Sequence, residues 1–199
     1  MIMRSLLLIL LSIALFQTAL AAPRIIPAPP QLATEGHILL DAATGTVIIE
    51  ENAEMRLPPA SLTKIMTSYI IASEIQQGRI SLDDLVPISV KAWKMEGSRM
   101  FIREGTEVKV ADLIRGIVIQ SGNDASVALA EHIAGSEFDF AGLMNEQAKA
   151  LGMNDTNFEN PTGLPNDNHY STATDLAKLT RALINDHPQQ YELYSEKRF

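Results

Sequence analysis

The chain has 199 residues, 46% hydrophobic and 20% charged, with 24 acidic against 16 basic side chains and no cysteine. That is room for one ordinary domain with a sizeable core, and the net charge of −8 argues against any nucleic-acid partner, which calls for a basic face. Without cysteine there is no disulfide, thiolate nucleophile or cysteine-bound metal, so the chemistry must rest on oxygen and nitrogen groups.

Arg4 precedes an apolar run from Leu6 to Phe16, and Ala19-Leu20-Ala21 then offers small residues where a signal peptidase reads. This is the pattern of a secretory signal over residues 1–21, and the run is short of the roughly 20 apolar residues that span a bilayer. The protein is therefore expected across the inner membrane, in the periplasm or cell envelope. Pro23, Pro27, Pro29 and Pro30 make residues 22–34 a stiff extended leader, and the fold is expected over 35–199.

His37–Leu40 and Val47–Ile49 are short aliphatic runs on either side of Asp41 to Gly45, which predicts a β-hairpin. After Pro58-Pro59, Leu62, Ile65, Met66, Tyr69 and Ile70 recur at helical spacing until Gly78. Further helices are expected over Val110–Ile119, Asp124–Ala134, Glu137–Ala150 and Thr174–Asn185, with Gly135 and Gly152 as stops and Ser136 or Thr174 as caps. Met153 to Tyr170, rich in Asn, Asp, Pro and Gly, reads as loop. One hairpin followed by mostly helix is unbalanced, because two strands alone are marginal.

Two elements carry candidate chemistry. Ser61 and Lys64 lie three apart at a helix start, so the amine is one turn from the hydroxyl. Serine is a poor nucleophile without a base, and lysine serves as one only if desolvation or nearby positive charge lowers its pKa. Helix N-terminal N–H groups favour a developing oxyanion. The structural alternative is an N-cap serine beside a solvated lysine. Ser121-Gly122-Asn123 lies between two predicted helices; in an extended loop its hydroxyl and carboxamide face one side. Ser121 then relays a proton, and Asn123 holds a substrate carbonyl and the lysine. The alternative is a plain turn followed by a helix cap.

Pro59-Ala60-Ser61-Leu62-Thr63-Lys64 with Ser121-Gly122-Asn123-Asp124-Ala125 resembles the low-molecular-mass penicillin-binding proteins that act as serine-type D-alanyl-D-alanine carboxypeptidases. Gly97 to Phe101, Leu113 to Gly116, Ala148 to Met153, Asn160 to Leu164 and Tyr170 to Ala173 extend the likeness over Glu35 to Phe199. The resemblance implies an α+β fold, an antiparallel sheet packed against a largely helical subdomain. It implies Ser61 as acyl-ester nucleophile, Lys64 as its base, Ser121 as proton relay and Asn123 as a substrate-binding wall. It also implies peptidoglycan pentapeptide as substrate, penicillins and other β-lactams as acylating ligands, a role in the cell wall and cell shape, and no cofactor or metal. Relatives carry a third motif, K-T-G or K-S-G, and no lysine here is followed by Thr-Gly or Ser-Gly. The family implies that this motif, its sheet strands and any amphipathic membrane anchor lie downstream of Phe199, so a fragment inactive by itself is the expectation. A D,D-endopeptidase of the same family, or a non-catalytic murein-binding relic, is the alternative.

Other constellations are weaker. His37, His132, His169 and His187 show no metal spacing and read as surface or core residues. There is no G-x-S-x-G, and no Glu-x-x-Leu-Asn run supports a class A β-lactamase. Met95, Met100, Met144 and Met153 read as core filler, and Trp93 as a packed residue or one facing substrate.

Overall fold

The apolar residues after Pro59 do form a helix, with two hydrophobic cores on its flanks. In a computed structural model that describes residues 30–198, the chain divides at Ala33/Thr34. Of the first unit only 30–33 are described and they hold no helix or strand; the predicted signal segment 1–21 and most of the leader lie outside the described residues. Every described helix and strand belongs to the second unit.

Helix α1 (Thr63–Gln76) is central: every residue from Thr63 to Ala72 except Ile65 is buried. Such a helix has no solvent face, which accounts for its small and hydroxyl residues between aliphatic ones. Its first turn is not α-helical as expected. Ala60–Leu62 form a 3₁₀ turn closed by Leu62 N–H to the Pro59 carbonyl (3.1 Å), and Ala60 takes the left-handed conformation at φ 46°. Two cores flank α1. On one side Ile71 packs with residues of α3 (Val110–Gln120) and α4 (Asn123–Ala134), among them Leu113, Ile117, Val127 and Leu129. On the other, Met66 and Ile70 pack with Phe140 and Met144 of α5 (Glu137–Ala150) and Leu179 and Leu183 of α6 (Ala173–Asp186).

The hairpin forms as expected. Strand β1 (His37–Leu40) pairs antiparallel with β2 (Val47–Glu51), two residues longer than the aliphatic run, with His37 opposite Glu51 and an irregularity at Leu39/Leu40. Asp41 shapes the turn by accepting from Thr44 N–H (2.7 Å), and Arg181 of α6 ties it down by donating to the Ala42 carbonyl (2.8 Å). A second two-stranded sheet, β3 (Leu85–Pro87) with β4 (Glu107–Lys109), was not expected, nor were the short helices α2 (Val90–Trp93) and α7 (Pro188–Glu192). These pieces are too short for periodicity to register. The α6 cap is Thr172, which accepts from Asp175 N–H (3.0 Å), not Thr174, whose hydroxyl instead donates to Glu54 (2.7 Å). Ser136 caps α5 as expected. The mixed architecture is the α+β class expected. Among the described residues no helix is long and apolar enough to cross a membrane. Met144 and Met153 are buried core and Met95 and Met100 line it, whereas Trp93 is 41% exposed on the surface.

Candidate active site

The helical turn that carries Ser61 leaves the residue exposed and, among the described residues, without a side-chain hydrogen bond, while Lys64, one turn on, is 4% exposed. Ser61 is thus not an N-cap: the cap position falls on Leu62, and no side chain caps α1. Nor is Lys64 solvated. Its Nζ donates to Asn123 Oδ1 (2.8 Å) and to the Thr162 carbonyl (2.7 Å), two neutral acceptors. Burial without a carboxylate penalises the ammonium and lowers its pKa from 10.5 to about 8. At neutral pH roughly one lysine in ten is then a free amine, enough to act as a base.

Ser121 and Asn123 do not sit in an extended loop. Ser121 ends α3 in the left-handed conformation (φ 54°, ψ 37°), Gly122 is extended, and Asn123 is the first residue of α4, so the tripeptide is a tight corner between two helices. The corner still presents both groups. Ser121 Oγ is buried with no partner, a costly state for a hydroxyl unless a ligand or another site group engages it. Asn123 spends Oδ1 on Lys64 and one N–H on the Glu96 carbonyl (2.6 Å), leaving its second amide N–H for a ligand. The structure therefore joins Lys64 to Asn123 directly, with Ser121 two residues before Asn123 and Ser61 one turn before Lys64.

Two supports of the site have roles that the sequence pattern does not report. The first is Asp124, 1% exposed, whose carboxylate accepts from the backbone N–H groups of Met100 (3.0 Å), Phe101 (2.8 Å) and Ile102 (3.2 Å). It holds the Glu96–Ile102 loop against the corner, while Asn123 N–H donates to the Ser98 carbonyl (2.7 Å). The second is the Asn160–Leu164 loop. Asn160 Oδ1 accepts from Thr162 N–H (3.1 Å) and Gly163 N–H (2.8 Å), folding the loop on itself. Thr67 of α1 donates to the Pro161 carbonyl (2.7 Å), and Gly163 (φ 82°) lies so close that a Cβ there would stand 1.8 Å from the Ala60 carbonyl oxygen. Only glycine fits that approach. The Asn and Gly of Asn160-Pro161-Thr162-Gly163 signal a turn; what the turn touches is not encoded locally.

The four histidines divide between the surface, where His132 is exposed and His37 partly so, and the interior, where His169 and His187 are buried. Among the described residues no group of three His, Asp or Glu side chains is arranged to hold a metal ion.

A desolvated lysine one turn from an exposed serine, bonded to a carboxamide two residues from an orphaned hydroxyl, is equipment for acyl transfer through a serine ester. Carried on an α+β scaffold with a central buried helix, it defines a site of the serine-peptidase class. The chain belongs to the D-alanyl-D-alanine carboxypeptidase family of S11 peptidases, whose family model matches residues 24–199. It is 47% identical over 180 residues to the D-alanyl-D-alanine carboxypeptidase DacA of Escherichia coli K12, covering 87% of this chain and 45% of that protein. Among solved structures it resembles the carboxypeptidase DacD of Francisella tularensis (TM-score 0.85, 46% identity, 88% of this chain and 43% of that one). Penicillin-binding protein 5 of Haemophilus influenzae gives a TM-score of 0.84 at 42% identity, covering 87% and 52%. The chain spans about half the length of the curated relatives it matches.

Proposed function

We propose that this protein is a serine D-alanyl-D-alanine carboxypeptidase acting on peptidoglycan pentapeptides. The observation that carries the reading is Lys64: buried, bonded to two neutral acceptors, and lowered by burial to a pKa of about 8 one turn from an exposed serine. Neutral Lys64 takes the Ser61 hydroxyl proton as Oγ attacks the carbonyl carbon between the two D-alanines. The tetrahedral intermediate collapses as Lys64, relayed by Ser121, returns the proton to the leaving amine; D-alanine departs and an ester on Ser61 remains. Water then attacks the ester, the proton returns to Ser61, and the shortened peptide leaves. Asn123 orients both the lysine and the substrate carbonyl. A penicillin acylates the same serine through its strained amide. The positive N-terminus, apolar run and Ala-x-Ala of residues 1–21 support export to the cell envelope, with 22–34 as a leader and 35–199 as catalytic domain.

The test incubates the full-length gene product with a pentapeptide, read as D-alanine release, and with a cross-linked dimer, read as formation of monomers. Release from the pentapeptide, lost in Ser61→Ala, is the expected result. Cleavage of the dimer alone would make it an endopeptidase, and binding of either without turnover a murein-binding relic.

A further inference from the structure

His169 is 4% exposed and bonded at both ring nitrogens. Nε2 stands 2.8 Å from Thr63 Oγ1, and Nδ1 accepts from the backbone N–H of Glu159 (3.1 Å). The ring packs edge-on against Phe158, centroids 5.6 Å apart. Because Glu159 N–H can only donate, Nδ1 must carry a lone pair. The proton of the neutral ring is then on Nε2, which donates to the Thr63 hydroxyl. Thr63 opens α1, and its own N–H closes the 3₁₀ turn of Ser61 by donating to the Ala60 carbonyl. That is the same carbonyl against which Gly163 of the loop is pressed.

We propose that His169 is a positioning residue of the acylation site: as the neutral Nε2–H tautomer it clamps the Glu159–His169 loop to Thr63 and so fixes the turn that presents Ser61. The inference rests on the serine-acylation reading above. Protonation would put a second proton on Nδ1, facing the Glu159 N–H. One bond is lost, two donors oppose each other, and the loop that supplies the Thr162 carbonyl to Lys64 is freed at that end. His169 lies on the wall of a hollow of about 600 Å³ that also includes Ala60 and Gly163, so protons reach it without unfolding. Glu159 on its own loop acts on its charge, and Arg56, Asp167 and Tyr170 are the charged and titratable groups that share the hollow with it. Burial lowers the pKa of His169 below the ordinary 6.5, with Glu159 opposing, so the clamp is closed at neutral pH.

The clamp gives a distinctive pH profile. Lys64 alone makes penicillin acylation fall about tenfold per pH unit below its pKa. A second protonation at His169 steepens that fall in the acid range. The experiment measures acylation rates of the full-length protein with fluorescent penicillin from about pH 5 to 9 for wild type, His169→Gln and His169→Ala. Glutamine offers an acceptor and a donor about as far apart as the ring nitrogens, but does not titrate. The Ala variant is expected to lose about tenfold or more at pH 8, the Gln variant to recover most of that, and only wild type to show the steeper acid limb. The same acid limb in His169→Gln would overturn the proposal. Ring-nitrogen NMR of His169 and exchange of the Glu159 amide give a readout free of catalysis. Nδ1 protonated at neutral pH, or Glu159 protection indifferent to His169 titration, would also overturn it. Absence of acylation in wild type at every pH would instead overturn the functional reading, with the NMR arm still deciding the clamp.

Discussion

Lys64 shows how much of the site is set by a single side chain's surroundings. Its ammonium has given up water for one amide oxygen and one backbone carbonyl, and among the described residues no carboxylate pairs with it, which is why burial lowers its pKa to about 8. Acylation by penicillin should therefore rise with pH to a midpoint near 8, measurable as the labelling rate across a pH series; a flat profile between pH 6 and 9 would remove Lys64 as the base. Lys64→Arg keeps the charge but cannot give up its proton, and should lower acylation by about 10²-fold or more. Gly163→Ala should also disable the site, because a methyl 1.8 Å from the Ala60 oxygen must displace either the loop or the Ser61 turn. The expected readout is a lower thermal midpoint together with slower labelling. Ser61 and Lys64 are legible in the sequence because helical spacing is local information. Thr162 and His169 are not, because their partners on α1 are about a hundred positions away and no pattern within the loop reports them.

Between elements, the α3–α4 corner depends on Asp124. Its carboxylate serves three N–H groups of the Met100–Ile102 segment, where Phe101 is held at φ 66° with its ring exposed. Asp124→Ala strands those donors, each costing about 1–3 kcal/mol when buried and unpaired, and should destabilise the protein by about 3 kcal/mol or more in urea unfolding. Asp124→Asn keeps one strong acceptor and should cost less; equal losses in the two variants would mean that packing, not the carboxylate, holds the segment. The long helices α3 to α6 were readable from caps and periodicity to within a residue or two at either end. The sheet of β3 and β4 was not, since its strands have three residues each and Pro87 sits in one of them. Ser121-Gly122-Asn123 was found as a pair of polar groups but with the wrong backbone, because a left-handed serine at a helix end has no distinctive sequence signal beyond the glycine that follows.

At the scale of the whole described unit, two features follow from how its parts are covered. The hairpin β1–β2 is a two-stranded sheet whose Leu39, Val47 and Ile48 are exposed, and a cavity of about 490 Å³ lined by Ile38, Leu40, Leu62 and Leu176 lies on its other side, against α6. The amides of β1 and β2 should therefore exchange for deuterium well before those of α1 and α4, whose buried residues belong to the two cores. Equal protection would mean that the hairpin is as firmly held as the helices. The imbalance between one hairpin and many helices was visible in the sequence, whereas the cavity's shape depends on the docking of α6.

The titrating groups also set the pH range of stability. His169 and His187 are both pushed below 6.5 by burial, so the unfolded chain binds more protons than the folded one in mildly acid solution. Stability should fall as pH drops from 6.5 through their folded pKa values. Tyr69, whose hydroxyl donates to Asp186 (2.8 Å), is pushed up to about 12, so the stability it contributes is lost above pH 10, where the unfolded tyrosine ionises first. Thermal midpoints across that range check both limbs.

The central claim is that Ser61 is the nucleophile made reactive by a desolvated Lys64, and the most direct measurement is the site of covalent modification. Full-length protein treated with penicillin, digested and read by mass spectrometry should carry the adduct on the peptide containing Ser61, with none in Ser61→Ala and little in Lys64→Arg. An adduct on Ser121 or another serine, or undiminished labelling of Ser61→Ala, would contradict it.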